Sequence, residues 1–438
     1  MSTQRSFNPL FFTLHIAALH LIIGWVLIFG GAPETPASDA VISAIQQGES
    51  GAAFDEAETE EAVAPVPFGA RPGALDPAKI YPDGDQMLAD LGNDWRAELT
   101  LDTHLQSKAK KILDRSKVPF GAIVVMDIKD GDVLAMVDRY DEHAENAPEL
   151  SEGGPSHLAL RRIAPAASIF KIATAAALLE SGVKPNREYP FKTARRRVYL
   201  KNLTAKAKGL PRTSLKSGFA HSNNGLFSRL SDKNLNADDM EVITERFGFN
   251  KVLPFPLLTD ASTAHIPRNR LERARMSAGF WHTYLTPLHA ASIAASVAGD
   301  GSMPTPRLVR RLHAPDDRTI EAPNRGAFTR TMRPDTARSM REMMAATVRQ
   351  GTGRRSFSKW PSKLRHIRVA GKTGTLAKRQ PYTSYTWFVG YAPADAPQVA
   401  IAVMVGNGSL WWQKATDVAR DTLAAHFSYL ADRTVAAR

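Results

Sequence analysis

The sequence predicts an α+β fold in which an antiparallel β-sheet is sandwiched by helices, preceded by one transmembrane helix. Three observations predict it: apolar strands lie at both ends of the folded region, helices apolar around most of their circumference fill its middle, and a long uncharged run opens the chain. Strands that flank a helical middle pair most economically as one sheet with helices covering its faces. At 438 residues, with 43% hydrophobic and 23% charged side chains, the chain can bury one large core or two modest ones.

Leu10 to Phe29 runs twenty residues without a formal charge, about enough for a helix to span a ~30 Å hydrocarbon core. The apolar region of a cleaved signal peptide is usually only about 7 to 15 residues. Arg5 precedes the run and Glu34 and Asp39 follow it, and a positive flank is expected to stay in the cytoplasm. Residues 1–9 are therefore expected to be cytoplasmic and 10–31 to be a single-pass anchor in the cytoplasmic membrane. The rest of the chain then lies outside the cytoplasm. His15 and His20 read as neutral imidazoles tolerated near a membrane face.

Residues 32–94 are rich in Ala, Pro, Gly and acids with almost no periodicity to about Pro82, which predicts a self-repelling tether. Regular structure is expected to begin near Trp95, giving a domain over 95–438. Residues 34–98 hold fourteen Asp or Glu against three Lys or Arg, so within a total of +12 the remainder from 99 onward carries about +22. Nucleic acid is not the expected partner of a basic domain that faces away from the cytoplasm. Anionic lipid headgroups and polyanionic wall polymers are the natural counterparts there, and a solvated surface with no dedicated ligand is the plainer alternative. The chain has no cysteine, which removes disulfides and Cys-based metal or redox sites.

Within the domain, a helical pattern at Leu105 to Leu113 leads into the apolar run Phe120 to Asp127. A turn at Lys129 to Asp132, with Asp130-Gly131 at its centre, reverses the chain into Val133 to Val137, a hairpin signature. Ser168 to Glu180 reads as a helix apolar all round, hence buried, and Gly182 and Pro185 end it. Thr286 and Pro287 cap and start a second apolar helix, Leu288 to Ala298. Val399 to Val405 is a continuous apolar strand, and Ala415 to Leu430 a helix that would pack on the sheet.

The chemistry is signalled by Lys372-Thr373-Gly374-Thr375, which follows the mostly apolar stretch Ile367 to Gly371 and puts a cation and hydroxyls on the edge of a buried strand. The nucleophile it calls for is the serine of a Ser-x-x-Lys pattern, which occurs four times, beginning at Ser107, Ser168, Ser181 and Ser356. Ser107 sits on a Lys-rich amphipathic helix, Ser181 at a helix end, and Ser356 in a basic loop, all explicable as surface serines. Ser168 opens a buried helix, where unpaired amide donors favour a developing oxyanion. Lys171 lies one turn on along the same face. Burial and a facing Lys372 would both disfavour its ammonium, leaving an amine able to accept the serine proton. Taken alone, the pair reads more readily as a buried serine beside a snorkelling lysine.

Ser168-x-x-Lys171, Ser222-Asn223-Asn224 and Lys372-Thr373-Gly374, in this order, resemble the three-motif set of serine penicillin-recognising enzymes. The spacing and flanks look most like the transpeptidase domain of penicillin-binding proteins. The likeness includes Leu99 to Asp102, the Val124 to Val137 hairpin, Phe247 to Phe249, Leu285 to Leu288, Gly351 to Gly353 and Trp387 to Tyr391, and spans residues 99 to about 430. It implies the penicillin-binding/β-lactamase-like fold with an all-helical subdomain.

The resemblance also implies roles. Ser168 would be the acyl-accepting nucleophile, Lys171 its base and Ser222 a proton relay to the leaving amine. Asn224 would bind the substrate peptide, and Lys372, Thr373 and Thr375 its terminal carboxylate, beside Gly374. The backbone amides of Ser168 and Thr375 would form an oxyanion hole. The implied reaction is D,D-transpeptidation of peptidoglycan stem peptides, with acylation by β-lactams and no metal or organic cofactor. Other wall-synthesis proteins are further expected partners, beside the membrane. Ala166-Ala167 stand where many relatives have Pro-Gly, and Asn223 where a smaller residue is frequent. About 65 residues between membrane and domain leave no space for a glycosyltransferase domain or long pedestal, so a minimal monofunctional form is expected. A D,D-carboxypeptidase shares the acyl-enzyme and is the alternative. A class D β-lactamase usually has Val where Asn224 stands and is much shorter, and a β-lactam sensor normally adds several membrane spans and a His-Glu-x-x-His protease.

Overall fold

The computed structural model describes residues 73–194, 197–323, 326–409 and 413–436. The expected anchor at 10–31 and most of the expected tether lie outside the described residues. Among the described residues, no helix is long and apolar enough to cross a membrane.

Ordered strands begin earlier than the sequence suggests. β1 (Ile80–Asp83) and β2 (Gln86–Gly92) form an antiparallel hairpin, and β2 continues the sheet to β3 (Trp95–Leu99). The sequence hides them because β1 buries no residue and β2 buries only Leu88 and Ala89, so neither strand alternates. Asp102 then caps α1 (Thr103–Arg115) by accepting from the Leu105 amide at 2.6 Å.

β4 (Phe120–Asp127) and β5 (Val133–Tyr140) pair as the Asp-Gly turn predicts. The Asp127 carboxylate accepts from the amides of Lys129 and Asp130, both at 2.8 Å, which holds the reversal. The apolar helix expected at Ser168 arrives in two parts, a 3-10 turn over Ala167–Phe170 and then α2 (Lys171–Glu180). Among the helices that follow are α3 (Leu215–Ala220), α4 (Asn224–Asn234) and α5 (Arg270–Ser277). α6 (Pro287–Ala298) starts as expected, with Thr286 accepting from the His289 amide at 3.2 Å and Pro287 in the first turn.

Beyond it come β6 (Val309–His313), β7 (Thr319–Glu321), α7 (Pro334–Arg349), α8 (Arg354–Phe357), β8 (Ala370–Arg379), β9 (Tyr382–Ala392), β10 (Val399–Asn407) and α9 (Ala415–Ala436). The central sheet has the order β8-β9-β10-β4-β5, antiparallel throughout, and a second sheet runs β1-β2-β3-β6-β7.

Residues along the central strands divide by parity between two cores. Val124, Met126, Ala402, Met404 and Trp387 face the α6 side, and Ile123, Val125, Ile401, Val403 and Phe388 face the side covered by α1 and α9. Full burial of each such side chain contributes roughly 1.5–3 kcal/mol, so both faces are committed to covering helices. The expected antiparallel sheet between helical layers is thus the observed architecture. β8 is its edge strand, and one side of its backbone has no strand partner among the described residues.

Candidate active site

Ser168 sits half-buried in the 3-10 turn packed on β8 at the start of α2, a position that none of its three rival serines shares. Ser107 and Ser181 are exposed, and Ser356 lies in α8 beside two exposed arginines. The turn is entered through Ala167 in the left-handed region at φ 50°. An alanine in that conformation costs about 1–2 kcal/mol that a glycine would not, which makes Ala167 a strained residue. Neighbours hold it: the Trp387 indole donates to the Pro165 carbonyl at 2.9 Å, and the Ala166 amide to Thr283 at 3.0 Å.

Lys171 is fully buried at the first turn of α2 and its amine meets three oxygens. These are Ser168 Oγ at 2.9 Å, Asn224 Oδ1 at 2.8 Å and the Ala278 carbonyl at 2.5 Å. A neutral amine can donate to Asn224 and Ala278 and still aim its lone pair at the serine hydroxyl. The Ala278 carbonyl, at the end of α5, left no trace in the sequence reading because a backbone oxygen has no residue signature. Its neighbour Gly279 could be noticed only as a glycine; at φ +83° it lies so close that a Cβ there would overlap the Ala167 carbonyl and stand 2.8 Å from Ser168 Cα.

Asn224 reaches the Lys171 amine from the junction of α3 and α4, and Ser222 sits at that junction. Ser222 turns the chain at φ 54°, and Asn223 is the cap of α4, accepting from the Leu226 amide at 3.0 Å. The departure at Asn223 is therefore a helix cap. A strap joins this junction to β8. The Gly351 turn packs on the Ala220 carbonyl, which accepts from the Thr352 amide at 3.0 Å, while the Thr352 and Thr373 hydroxyls meet at 2.5 Å. Thr352 belongs to the site and was visible beforehand only as part of the Gly351 to Gly353 flank.

On β8, Lys372 is fully buried, its amine donating to the Thr373 carbonyl at 2.9 Å and lying 5.4 Å from the centre of the Phe219 ring. Gly374 lies against Ile169, where a Cβ would come within 3.2 Å, so the strand can approach the serine turn closely. Thr375 is exposed, its hydroxyl turned to the Gly374 carbonyl at 2.8 Å. All eight residues singled out in the three motifs therefore lie on the segments that meet here.

Burial pushes Lys372 down to about 7. Burial first and repulsion from Lys372 second hold Lys171 well below the ordinary lysine range. The two ammoniums repel each other in a buried site, so loss of one proton relieves the pair, and the three oxygens around the Lys171 amine are compatible with a neutral amine there. A hydroxyl beside one buried amine, a second buried lysine and a strand at the sheet edge together have the layout of a serine–lysine acyl-transfer cleft.

Residues 121–427 match the family model described as the penicillin-binding protein transpeptidase domain, and the chain belongs to that family. Among curated proteins it is similar to the peptidoglycan D,D-transpeptidase PbpA of Mycolicibacterium smegmatis, 28% identical over 315 residues that cover 66% of this chain and 62% of that protein. The chain thus spans less than two thirds of the length of such relatives. Among solved structures, it is similar to penicillin-binding protein A from M. tuberculosis in an imipenem acyl-enzyme complex, with 25% identity, a TM-score of 0.62 and coverage of 75% and 79% of the two chains. A D,D-transpeptidase domain from Eggerthella lenta gives 26% identity, a TM-score of 0.62 and coverage of 76% and 83%.

Proposed function

We propose that this chain is a peptidoglycan D,D-transpeptidase that works through an acyl-enzyme on Ser168. The observation that carries the reading is the fully buried amine of Lys171, 2.9 Å from Ser168 Oγ and depressed in basicity by burial and by Lys372. The names of the relatives and the acyl-enzyme form of the M. tuberculosis protein support it.

In the first step Ser168 Oγ attacks the carbonyl between the two terminal D-Ala residues of a stem peptide and its proton passes to Lys171. The C–N bond then breaks, and the leaving D-Ala nitrogen takes a proton relayed by Ser222. In the second step the amine of another stem peptide attacks the ester, the new amide forms, and Ser168 Oγ recovers its proton. Lys372, with the hydroxyls of Thr373 and Thr375, binds the terminal carboxylate, and Gly374 lets the strand approach. Asn224 both orients Lys171 and faces the peptide, and the amides of Ser168 and Thr375 serve the oxyanion. The free edge of β8 offers the backbone groups that an extended peptide can pair with. A β-lactam acylates Ser168 by the same first step, its leaving nitrogen remaining tethered.

The same reading places residues 10–31 in the cytoplasmic membrane and the domain outside the cytoplasm, where stem peptides and other wall-synthesis proteins are its partners. Two experiments test it. Fluorescent penicillin is expected to label the wild type and leave Ser168→Ala unlabelled; equal labelling of both removes the acyl-enzyme reading. A D-Ala-D-Ala peptide supplied with an amine acceptor is expected to give the cross-linked product. Release of D-Ala alone makes the chain a D,D-carboxypeptidase, and rapid turnover of penicillin a β-lactamase.

A further inference from the structure

Beside the cleft, and outside it, lies a cavity of about 370 Å3 walled by Val348, Phe357, Trp360, Ile367 and Val369. Its walls belong to the core on the α9 side and are held in place: the rings of Phe357 and Phe388 are 5.2 Å apart, and the Trp360 indole donates to the Leu364 carbonyl at 2.8 Å. Four exposed arginines also line it, Arg349, Arg354, Arg365 and Arg368. Arg368 has one carboxylate nearby, Asp395 at 3.5 Å, and the other three make no ion pair among the described residues. The surroundings repeat the pattern, because residues 343–394 contain ten Lys or Arg and not one Asp or Glu.

We propose that this cavity is a docking site for an acidic segment of a partner protein, which seats one large apolar side chain among Phe357, Trp360 and Ile367 while its carboxylates meet the four arginines. Charge selects an anion, since three exposed guanidiniums without an ion pair among the described residues, beside Arg368 with its single carboxylate at 3.5 Å, favour carboxylate or phosphate. The apolar walls select within that class. A polyanionic wall polymer would satisfy the arginines and leave the cavity unused. The volume lies at the small end of ligand pockets and takes one or two large side chains. Arginine, tryptophan and phenylalanine around a buried centre are the composition of interface hot spots. The position suits a regulator: Arg349 is three residues before Thr352, and Val369 is three residues before Lys372. An occupant therefore touches the two segments that lead into Thr352 and into β8, whose Thr352 and Thr373 hydroxyls meet at 2.5 Å.

The test uses the full chain in a neutral detergent and a fluorescein-labelled peptide of Asp and Glu with Leu-Phe at its centre. A second peptide carries Ser-Ser at that place. Fluorescence anisotropy is expected to show the Leu-Phe peptide binding at least about tenfold more tightly than its partner. Arg354→Glu combined with Arg365→Glu is expected to weaken it about tenfold or more, and Ala345→Phe, which fills the cavity from α7, to do the same. Thermal unfolding midpoints near the wild-type value certify that these variants fold, independently of any reaction at Ser168. Equal affinity for the two peptides, wild-type affinity in the variants, or no binding by either peptide overturns the proposal. Retention on phosphatidylglycerol vesicles that the same variants abolish, with no peptide binding, gives the cavity to lipid instead.

Discussion

The amine of Lys171 lies 2.5 Å from the carbonyl oxygen of Ala278, a contact that exists because the next residue, Gly279, has no side chain to hold the two backbones apart. Gly279→Ala would add a Cβ that overlaps Ala167 and stands 2.8 Å from Ser168 Cα, at a φ of +83° that L-residues rarely adopt. Ser168 must shift in response. Acylation by penicillin is expected to slow by about a hundredfold, as misplacement of about 1 Å does, with about 1–3 kcal/mol of lost stability. Stopped-flow acylation together with thermal unfolding measures both.

Asn224 presents its carbonyl oxygen to Lys171 at 2.8 Å. Asn224→Asp replaces that dipole by a negative charge, which favours the ammonium and raises the Lys171 pKa. Since the base must be neutral, the acid limb of the acylation pH profile is expected to move to higher pH. Asn224→Ala removes an acceptor without adding charge and is expected to lower the rate while moving the limb the other way.

Lys372 titrates near 7 in the free cleft, and only its ammonium attracts a carboxylate. For peptides ending in a free carboxylate, kcat/KM is expected to fall as pH rises through about 7, approaching tenfold per unit. The corresponding peptide amide does not use that charge and is expected to lack this limb. A pH series with both substrates separates the two, and identical alkaline limbs would remove Lys372 from carboxylate binding.

His289, buried in α6, donates Nε2 to the Phe247 carbonyl at 2.7 Å, while its Nδ1 is buried without a partner. Burial lowers its pKa from 6.5 to about 4. Between those values the unfolded chain binds a proton that the folded one refuses, so stability is present above pH 6.5 and lost as pH falls towards 4. The loss is of order 3 kcal/mol. Urea unfolding of wild type and His289→Gln across this window is expected to show a shallower acid slope in the variant.

The parts of the molecule legible in the sequence are those in which one local signal decides the structure. The Asp127 turn, the Thr286 cap and the unbroken apolar run of β10 each specify their element by side-chain chemistry. β1 and β2 escaped because their pairing is held by backbone hydrogen bonds with little burial. In the site, the three motifs are readable because serine, lysine and asparagine side chains do the contacting. The Ala278 carbonyl and the strain at Ala167 are backbone properties, shown by sequence only as an unexplained glycine and an unusual alanine. The split of the Ser168 helix into a 3-10 turn and α2 was equally hidden, since composition does not distinguish the two.

The Lys171 amine is touched by oxygens 3, 53 and 107 positions away along the chain. No early folding intermediate holds all three, because the contacts require that α2, α4 and the end of α5 have already docked. A chain short of that point is chemically silent at Ser168, however much secondary structure it has. Covalent labelling by a β-lactam accordingly counts finished molecules, and its amplitude during refolding follows the last step of assembly, where circular dichroism follows the first.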